Sequence, residues 1–189
     1  MTLKERLKAL YANGLNGVSP SIQLDKILNA VFKRWITVDE AVEIVGDNGT
    51  DAFEILRAVK LKEVSKACED VIFAGTDVEL GNEVLHFSLT IKDQINLSTA
   101  ISAVVNGALA FPYHNDGNLC RLYSAAEINK IGAEATRFIL YHTTYCNHLN
   151  YYIRRIEDVG VFESVFYGCE LPSDLADNMQ SVLLQAQGE

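Results

Sequence analysis

The stretch from Ala125 to Glu157 constrains this chain more than any other. Ile128, Ile131, Ala135, Phe138, Ile139, His142, Tyr145, Cys146, Leu149, Tyr152, Ile153 and Ile156 recur along it at helical spacing. Ser124 with Glu127 forms a capping box that fixes where the helix begins. At 1.5 Å per residue such a helix is a rod of roughly 45–50 Å. A compact globule of this size has a radius of gyration of about 16 Å. The rod therefore needs partners along its whole length, from its own chain or from another copy.

The other segments are shorter and carry clear punctuation. Leu3, Leu7, Leu10 and Tyr11 mark a first helix, which Asn13-Gly14 and Asn16-Gly17 should stop. Ser19-Pro20 predicts the start of a second, with Ile22, Ile27, Leu28, Val31 and Phe32 on its inner side. Thr37 and Glu40 make a capping box for a third, which ends at Gly46. Asp47-Asn48-Gly49-Thr50 is a turn cluster and the predicted domain boundary. A fourth helix runs from about Asp51 to Phe73, closed by Gly75 in the left-handed conformation.

Two hairpins follow. The pattern 77–80 and 83–87 around Gly81-Asn82 sets Val78 opposite Leu85 and Leu80 opposite Glu83. A helix capped by Thr90 then runs to about Asn106. The segments 109–114 and 118–123 flank Asn115-Asp116-Gly117, which predicts a short turn pairing His114 with Asn118 and Pro112 with Cys120. After the long helix, a short helix near Phe162–Tyr167 and a last one capped by Ser173 complete the chain. The predicted fold is mostly α with two β-hairpins, an α+β arrangement. It divides into a small helical bundle, residues 1–47, used for docking, and a helix–hairpin–helix–hairpin–long-helix domain, residues 51–189.

Charge and composition exclude several classes. Of the 189 residues 49% are hydrophobic, too apolar for disorder. The apolar runs are too short for a membrane-spanning helix, and the amphipathic start leads us to expect no signal peptide. The net charge is −9, and residues 1–47 hold six basic and six acidic residues, so the excess lies beyond them. Such a chain lacks the basic footprint that nucleic acid requires. The third helix would be the recognition helix of a helix-turn-helix, but it carries Asp39, Glu40 and Glu43.

No catalytic signature is present. There is no G-x-S-x-G, no P-loop and no dinucleotide-binding fingerprint, and no acid–base pair shares a face. The four cysteines form no C-x-x-C pair, and the expected state is reduced thiols. His142 and Cys146 are four apart on one helical face, and the predicted hairpin register sets His114 diagonal to Cys120. Those four could form a zinc set, but their spacing matches no standard finger, and a packed polar cluster is the favoured reading. No metal or other cofactor is expected.

Aromatic residues give the interaction candidates. Tyr141, Tyr145, Tyr151 and Tyr152 wrap the long helix on more than one side, where a monomer would bury one stripe. Tyr145, Tyr151, Tyr152 and Ile153 are the predicted contacts with further copies. The single tryptophan, Trp35, either plugs the small bundle or anchors it onto another protein.

Two stretches resemble known families. Lys33-Arg34-Trp35-Ile36-Thr37-Val38-Asp39-Glu40-Ala41 with Ile44-Val45-Gly46, within residues 22–46, is similar to the short XkdX-like proteins of phage tail modules. A longer part, about residues 54–172, resembles a phage and prophage tail-fibre-associated domain of unknown function. Its matching segments include His86-Phe87-Ser88-Leu89-Thr90, Pro112-Tyr113-His114-Asn115-Asp116-Gly117, and Tyr141-His142-Thr143-Thr144-Tyr145-Cys146-Asn147-His148-Leu149. The resemblance implies a non-enzymatic component of a phage tail or tail-like particle, at the baseplate or tail-fibre attachment region. It implies assembly in the host cytoplasm and residence in the particle. Its partners would be further copies, with a trimer preferred over a dimer, and other tail or baseplate proteins, with no nucleic acid and no membrane. The alternative is a tail-fibre assembly factor that is absent from the finished particle.

Overall fold

The computed structural model describes residues 1–46 and 49–187. They build a mostly helical chain with two antiparallel two-stranded hairpins. The chain forms two compact units, one of Met1–Val64 with Asn150–Glu170 and one of Ser65–Leu149 with Leu171–Glu189. This differs from a division at residues 47–51. Asp47 and Asn48 of the expected boundary turn lie outside the described residues, and Gly49 and Thr50 already belong to a helix.

The first unit contains α1 (Leu3–Leu15), α2 (Leu24–Phe32), α3 (Val38–Val45) and the first part of α4 (Gly49–Ala74). Side chains cap two of these helices. Thr2 with Glu5 and Thr37 with Glu40 each form a complete capping box. The core gathers Tyr11, Ile27, Ala30, Ile36, Ala41, Ile44 and Val45, and α4 adds the fully buried Ile55. That contribution explains why the unit does not stop before α4: without Ile55, Ala52 and Val59 the bundle core would be open on one side. Residues 150–170 join it through Arg57, whose Nη2 donates to the Ile156 carbonyl at 2.9 Å, and through the Phe53 and Phe162 rings, 5.2 Å apart.

Two helix limits in this unit depart from the sequence pattern. α1 continues through Asn13-Gly14 to Leu15. α2 begins at Leu24 rather than at Ser19-Pro20. The intervening segment folds back on the end of α1. The Val18 N–H donates to Asn13 O at 2.8 Å, Asn13 Nδ2 to Pro20 O at 2.9 Å, and the Ile22 N–H to Leu10 O at 3.1 Å. The Val18 bond satisfies a carbonyl of the last turn of α1, and the three bonds together hold the segment against that helix, so it is not available to start α2.

The second unit holds β1 (Thr76–Leu80), β2 (Glu83–Phe87), α5 (Ile91–Val105), β3 (Ala110–Tyr113), β4 (Arg121–Ser124), most of α6 (Ala125–Arg155) and α7 (Ser173–Gln187). The first hairpin has the predicted register, Val78 opposite Leu85 and Leu80 opposite Glu83. Val78, Leu80 and Phe87 are buried on its inner face. They meet Leu89, Leu97, Ala100, Tyr113, Tyr123, Ile128, Ile131 and Ala135 in one core. Thr90 with Asp93 caps α5, and Ser124 with Glu127 caps α6, both as read from the sequence.

Two glycines sit at points of close approach, one against backbone and one against the end of a side chain. Gly75 closes α4 at φ +91°, and a Cβ there would lie 2.1 Å from the Phe87 carbonyl oxygen. Gly132 lets α6 pass Ile101 of α5, whose Cδ1 lies 2.5 Å from where a Cβ would stand.

The second hairpin is shifted from its predicted register. Pro112 pairs with Leu122, not with Cys120, and Tyr113 pairs with Arg121. Residues 114–120 form the connection. The reason is tertiary. Asn115 is buried and accepts a 3.1 Å bond from the Tyr123 hydroxyl, while the Asp116 N–H donates to the His86 carbonyl at 3.0 Å. The loop is thereby pinned to the first hairpin, which a tight three-residue turn could not reach.

After α6 the predicted Phe162–Tyr167 helix is a 3-10 turn, Val159–Ser164, whose start is capped by the Asp158 carboxylate on the Gly160 N–H. Ser173 is the first residue of α7, and the Pro172 carbonyl accepts from the Leu175 and Ala176 N–H groups at 2.9 Å each. Among the described residues no helix is long and apolar enough to cross a membrane.

Candidate docking surface

Trp35 does not plug the bundle. Its indole is 62% exposed, while the next residue, Ile36, is buried in the core. The backbone between α2 and α3 explains this inversion. The Trp35 N–H donates to Ala30 O and the Arg34 N–H to Val31 O, both at 2.9 Å, which closes α2 in a Schellman motif. That motif needs a left-handed residue, and here it is Arg34, at φ 59°. Glycine usually fills the position. A non-glycine residue there costs about 1 kcal/mol. The turn sends Ile36 inward and leaves Trp35 outward.

The surroundings of Trp35 are aromatic and cationic. Lys33 Nζ lies 4.7 Å from the Trp35 ring centre, and Lys62 Nζ of α4 lies 4.0 Å from that of Phe32. Phe32 is itself exposed. Lys33, Arg34 and Lys62 form no ion pair among the described residues. A shallow hollow of about 330 Å³, lined by Val31, Arg34, Trp35, Ile36, Val38 and Glu40, adjoins the indole. The Glu40 carboxylate in that lining is engaged by the Thr37 N–H at 2.8 Å. The result is an indole beside a shallow hollow, flanked by cations that form no ion pair among the described residues, with the Glu40 carboxylate in the lining held by its capping bond. Trp35 was legible in the sequence. Phe32 was expected on the inner side of α2 and is exposed instead, and Lys62 was not singled out, because it reaches the surface from a helix thirty residues further along.

The predicted contacts on α6 are divided. Ile153 is 0% exposed and Tyr145 is buried, so neither awaits a second copy. Tyr152 is half-buried. Tyr151 is 55% exposed, with the Arg155 guanidinium carbon 5.5 Å from its ring centre, and Tyr141 is 49% exposed. Leaving Ile153 wet is therefore no reason for assembly. The residues following α6 turn back and supply buried Ile156, Phe162 and Val165 in the unit to which Ile153 belongs.

The four residues of the zinc set are not brought together. His114 and Cys120 are exposed in the β3–β4 connection, and the register shift removes their diagonal pairing. Cys146 is buried, and His142 packs edge-on against Phe138 at 4.4 Å between ring centres. Burial holds the His142 imidazole below its ordinary pKa. The Cys68 thiol donates to the His142 backbone carbonyl at 3.4 Å. Among the described residues no three His, Cys, Asp or Glu side chains converge as a metal group.

One polar cluster combines a serine, a histidine and two aspartates at the first hairpin. Ser88 donates through its N–H and hydroxyl to Asp116. His86 directs Nδ1 to Asp77 and Nε2 to the Ala74 carbonyl. Neither imidazole nitrogen faces the Ser88 hydroxyl, so the arrangement does not prepare a nucleophile. A larger hollow of about 660 Å³ in the same unit is lined by Ile101, Gly132, Phe138, Tyr141 and Leu183, and its charged lining residues Glu134 and Arg137 pair with each other.

Compared with models of known protein families, with curated proteins and with solved structures, the chain matches none.

Proposed function

We propose that this chain is a non-enzymatic structural component of a bacteriophage tail or tail-like particle, seated at the baseplate or tail-fibre attachment region, and that the Trp35 surface docks it onto its neighbours. The exposed indole carries the docking part of the reading. A tryptophan left wet forfeits about 2–3 kcal/mol of burial, and here the adjoining backbone adds the cost of a left-handed Arg34. Two costs at one point are the signature of a surface that gains when covered. The same residues, Lys33 to Gly46, carry the resemblance to short phage tail proteins. The non-enzymatic part is supported by the Ser88 and His86 geometry, in which every polar group is already bonded to another.

Mass spectrometry of purified particles tests the assignment. A stoichiometric amount of this chain in the particle is expected, and a Trp35→Ala variant should be depleted from it. Absence of the wild-type chain from finished particles would overturn the structural role and favour an assembly factor that leaves before completion.

A further inference from the structure

α5 presents an uncharged, partly apolar stripe to solvent. Ile91, Ile95, Ser98, Ser102 and Val105 follow one another at steps of 4, 3, 4 and 3 residues. They fall within an arc of about 80°, on the side away from the buried Leu97 and Ala100. All five are exposed, and Ile91, Ile95 and Val105 are each more than half exposed. Between Ile91 and Val105 the only charged residues are Lys92 and Asp93. Both lie off the stripe, and Asp93 is engaged in the Thr90 cap. The polar side chains flanking the stripe are satisfied within the helix. The Thr99 hydroxyl donates to the Ile95 carbonyl at 3.0 Å, and Asn106 Nδ2 to the Ser102 carbonyl at 2.8 Å. Covering this face therefore leaves neither donor unpaired.

We infer that this face is covered by α5 of a second copy of the chain, the two helices running antiparallel about a two-fold axis at the level of Ala100. The inference goes beyond the docking role of Trp35 and does not rest on it. Alternating steps of 3 and 4 form the seam of a helix pair, and this seam is self-complementary. Ile95 faces the partner's Val105, and Ser98 faces the partner's Ser102, each pair equidistant from Ala100 in the chain. Ile91 overhangs the partner's last turn, beyond which Leu109 is exposed. Apolar side chains meet towards the ends, and small ones meet in the middle, where the helices approach most closely. An unrelated partner would give no reason for the stripe to read alike in both directions. The contact is isologous and closes as a dimer, where the resemblance to tail proteins implies a trimer. Charge also favours a second copy on this face. The net charge of −9 makes copies repel, and a contact with no charge on either side adds nothing to that repulsion. A single seam about 22 Å long is smaller than a standard interface of about 800 Å² per partner, so dissociation at about 10–100 μM is expected.

Sedimentation equilibrium on the full chain, up to about 1 mM, tests this. The mass should rise with concentration from one chain to two. Dimerisation should tighten as salt rises to physiological strength, because screening weakens the repulsion between copies. Ile95→Glu should weaken it by about tenfold or more. Asn96→Glu adds the same charge about 100° further round the helix. That variant and Trp35→Ala should each leave dimerisation within about threefold. Thermal melting of dilute Ile95→Glu should match the wild type, which separates a lost contact from a lost fold. Cross-linking with oxidised glutathione reads the register in a Cys120→Ser background. A mixture of Ile95→Cys and Val105→Cys chains should form a disulfide-linked dimer. Neither variant alone should, because like positions lie about 15 Å apart along the axis. A mass of one chain throughout would overturn the inference. So would dimerisation that Ile95→Glu leaves unchanged, that Asn96→Glu weakens equally or that Trp35→Ala abolishes. Cross-links as abundant in a single variant as in the mixture would do the same.

Discussion

The His86 Nδ1 lies 2.6 Å from the Asp77 carboxylate, on the opposite strand of the first hairpin. The other ring nitrogen lies 2.7 Å from the Ala74 carbonyl at the end of α4. Both neighbours are acceptors, so only the doubly protonated ring satisfies both. The Asp77 bond, then the Ala74 carbonyl, outweigh burial and raise the His86 pKa, and Asp116 at 4.0 Å adds to this. Asp116 is the reverse case. Burial works against its carboxylate, but the Ser88 hydroxyl and N–H, helped by His86 and His114, together hold its pKa down.

Stability should therefore contain a proton-dependent part that His86 supplies. A raised pKa means the folded chain binds the proton more tightly. The stabilisation is complete below the unfolded value of about 6.5 and is lost as pH rises through the higher folded value. The side chain is 45% exposed, so solvent screening keeps the effect under about 1 kcal/mol. Denaturation midpoints of wild type and His86→Gln across this range should converge as pH rises. A constant gap, or an NMR titration placing His86 at or below the ordinary value, would refute it. His142 works in the opposite direction, because its pKa is lowered by burial. Its proton is taken up on unfolding, so its contribution favours folding more as pH rises.

Trp35 and Ile36 should respond oppositely to truncation. Ile36→Ala removes a buried core side chain and should cost about 2–5 kcal/mol. Trp35→Ala should change stability by no more than about 0.5 kcal/mol, because the indole is largely in water. Urea denaturation of the two variants measures both. An equal loss from each would mean that Trp35 belongs to the core after all.

Tyr123→Phe should cost about 1–3 kcal/mol, since it leaves the buried Asn115 oxygen without its donor. The loss should be local first. Hydrogen exchange at Asp116, whose N–H donates to the His86 carbonyl, should accelerate more than exchange in α6.

Gly75→Ala should destabilise by about 2 kcal/mol or more. The added carbon would meet the Phe87 carbonyl oxygen at 2.1 Å and Ser88 Cα at 2.6 Å, at a φ of +91° that L side chains rarely adopt. Gly81→Ala provides the control. Its φ is also positive, but a Cβ there meets nothing within 4 Å. Calorimetry should rank Gly75→Ala as the more damaging by a clear margin.

A fragment beginning at residue 51 should be less stable than the intact chain in its Asn150–Glu170 region. It would lose α1 to α3 from the unit that those residues complete, exposing Ile55. Hydrogen exchange at Ile156 and Phe162 in the fragment checks this. Unchanged protection there would show that the bundle folds apart from the rest.

The sequence by itself determined what is decided within a few residues. Thr37 with Glu40, Thr90 with Asp93, and Ser124 with Glu127 start their helices where the pattern places them, because each cap closes over three residues. Gly75 ends α4, and Gly81-Asn82 sets the register from Val78 to Leu85, for the same reason. The second hairpin was not determined in this way. Its observed register differs from the predicted one by two residues, and a two-residue slip keeps every side chain on its face, so alternation cannot tell them apart. The contacts of Asn115 with Tyr123 and of Asp116 with Ser88 and the His86 backbone decided it. The tertiary structure alone also decided that Ile55 and residues 150–170 complete the N-terminal unit, since such pairings join parts of the chain whose spacing carries no periodic signal. Trp35 shows both limits at once. Its composition marked it as a large apolar side chain needing a cover, but whether that cover was the core or the surface depended on a single left-handed residue, Arg34, that no residue pattern announces.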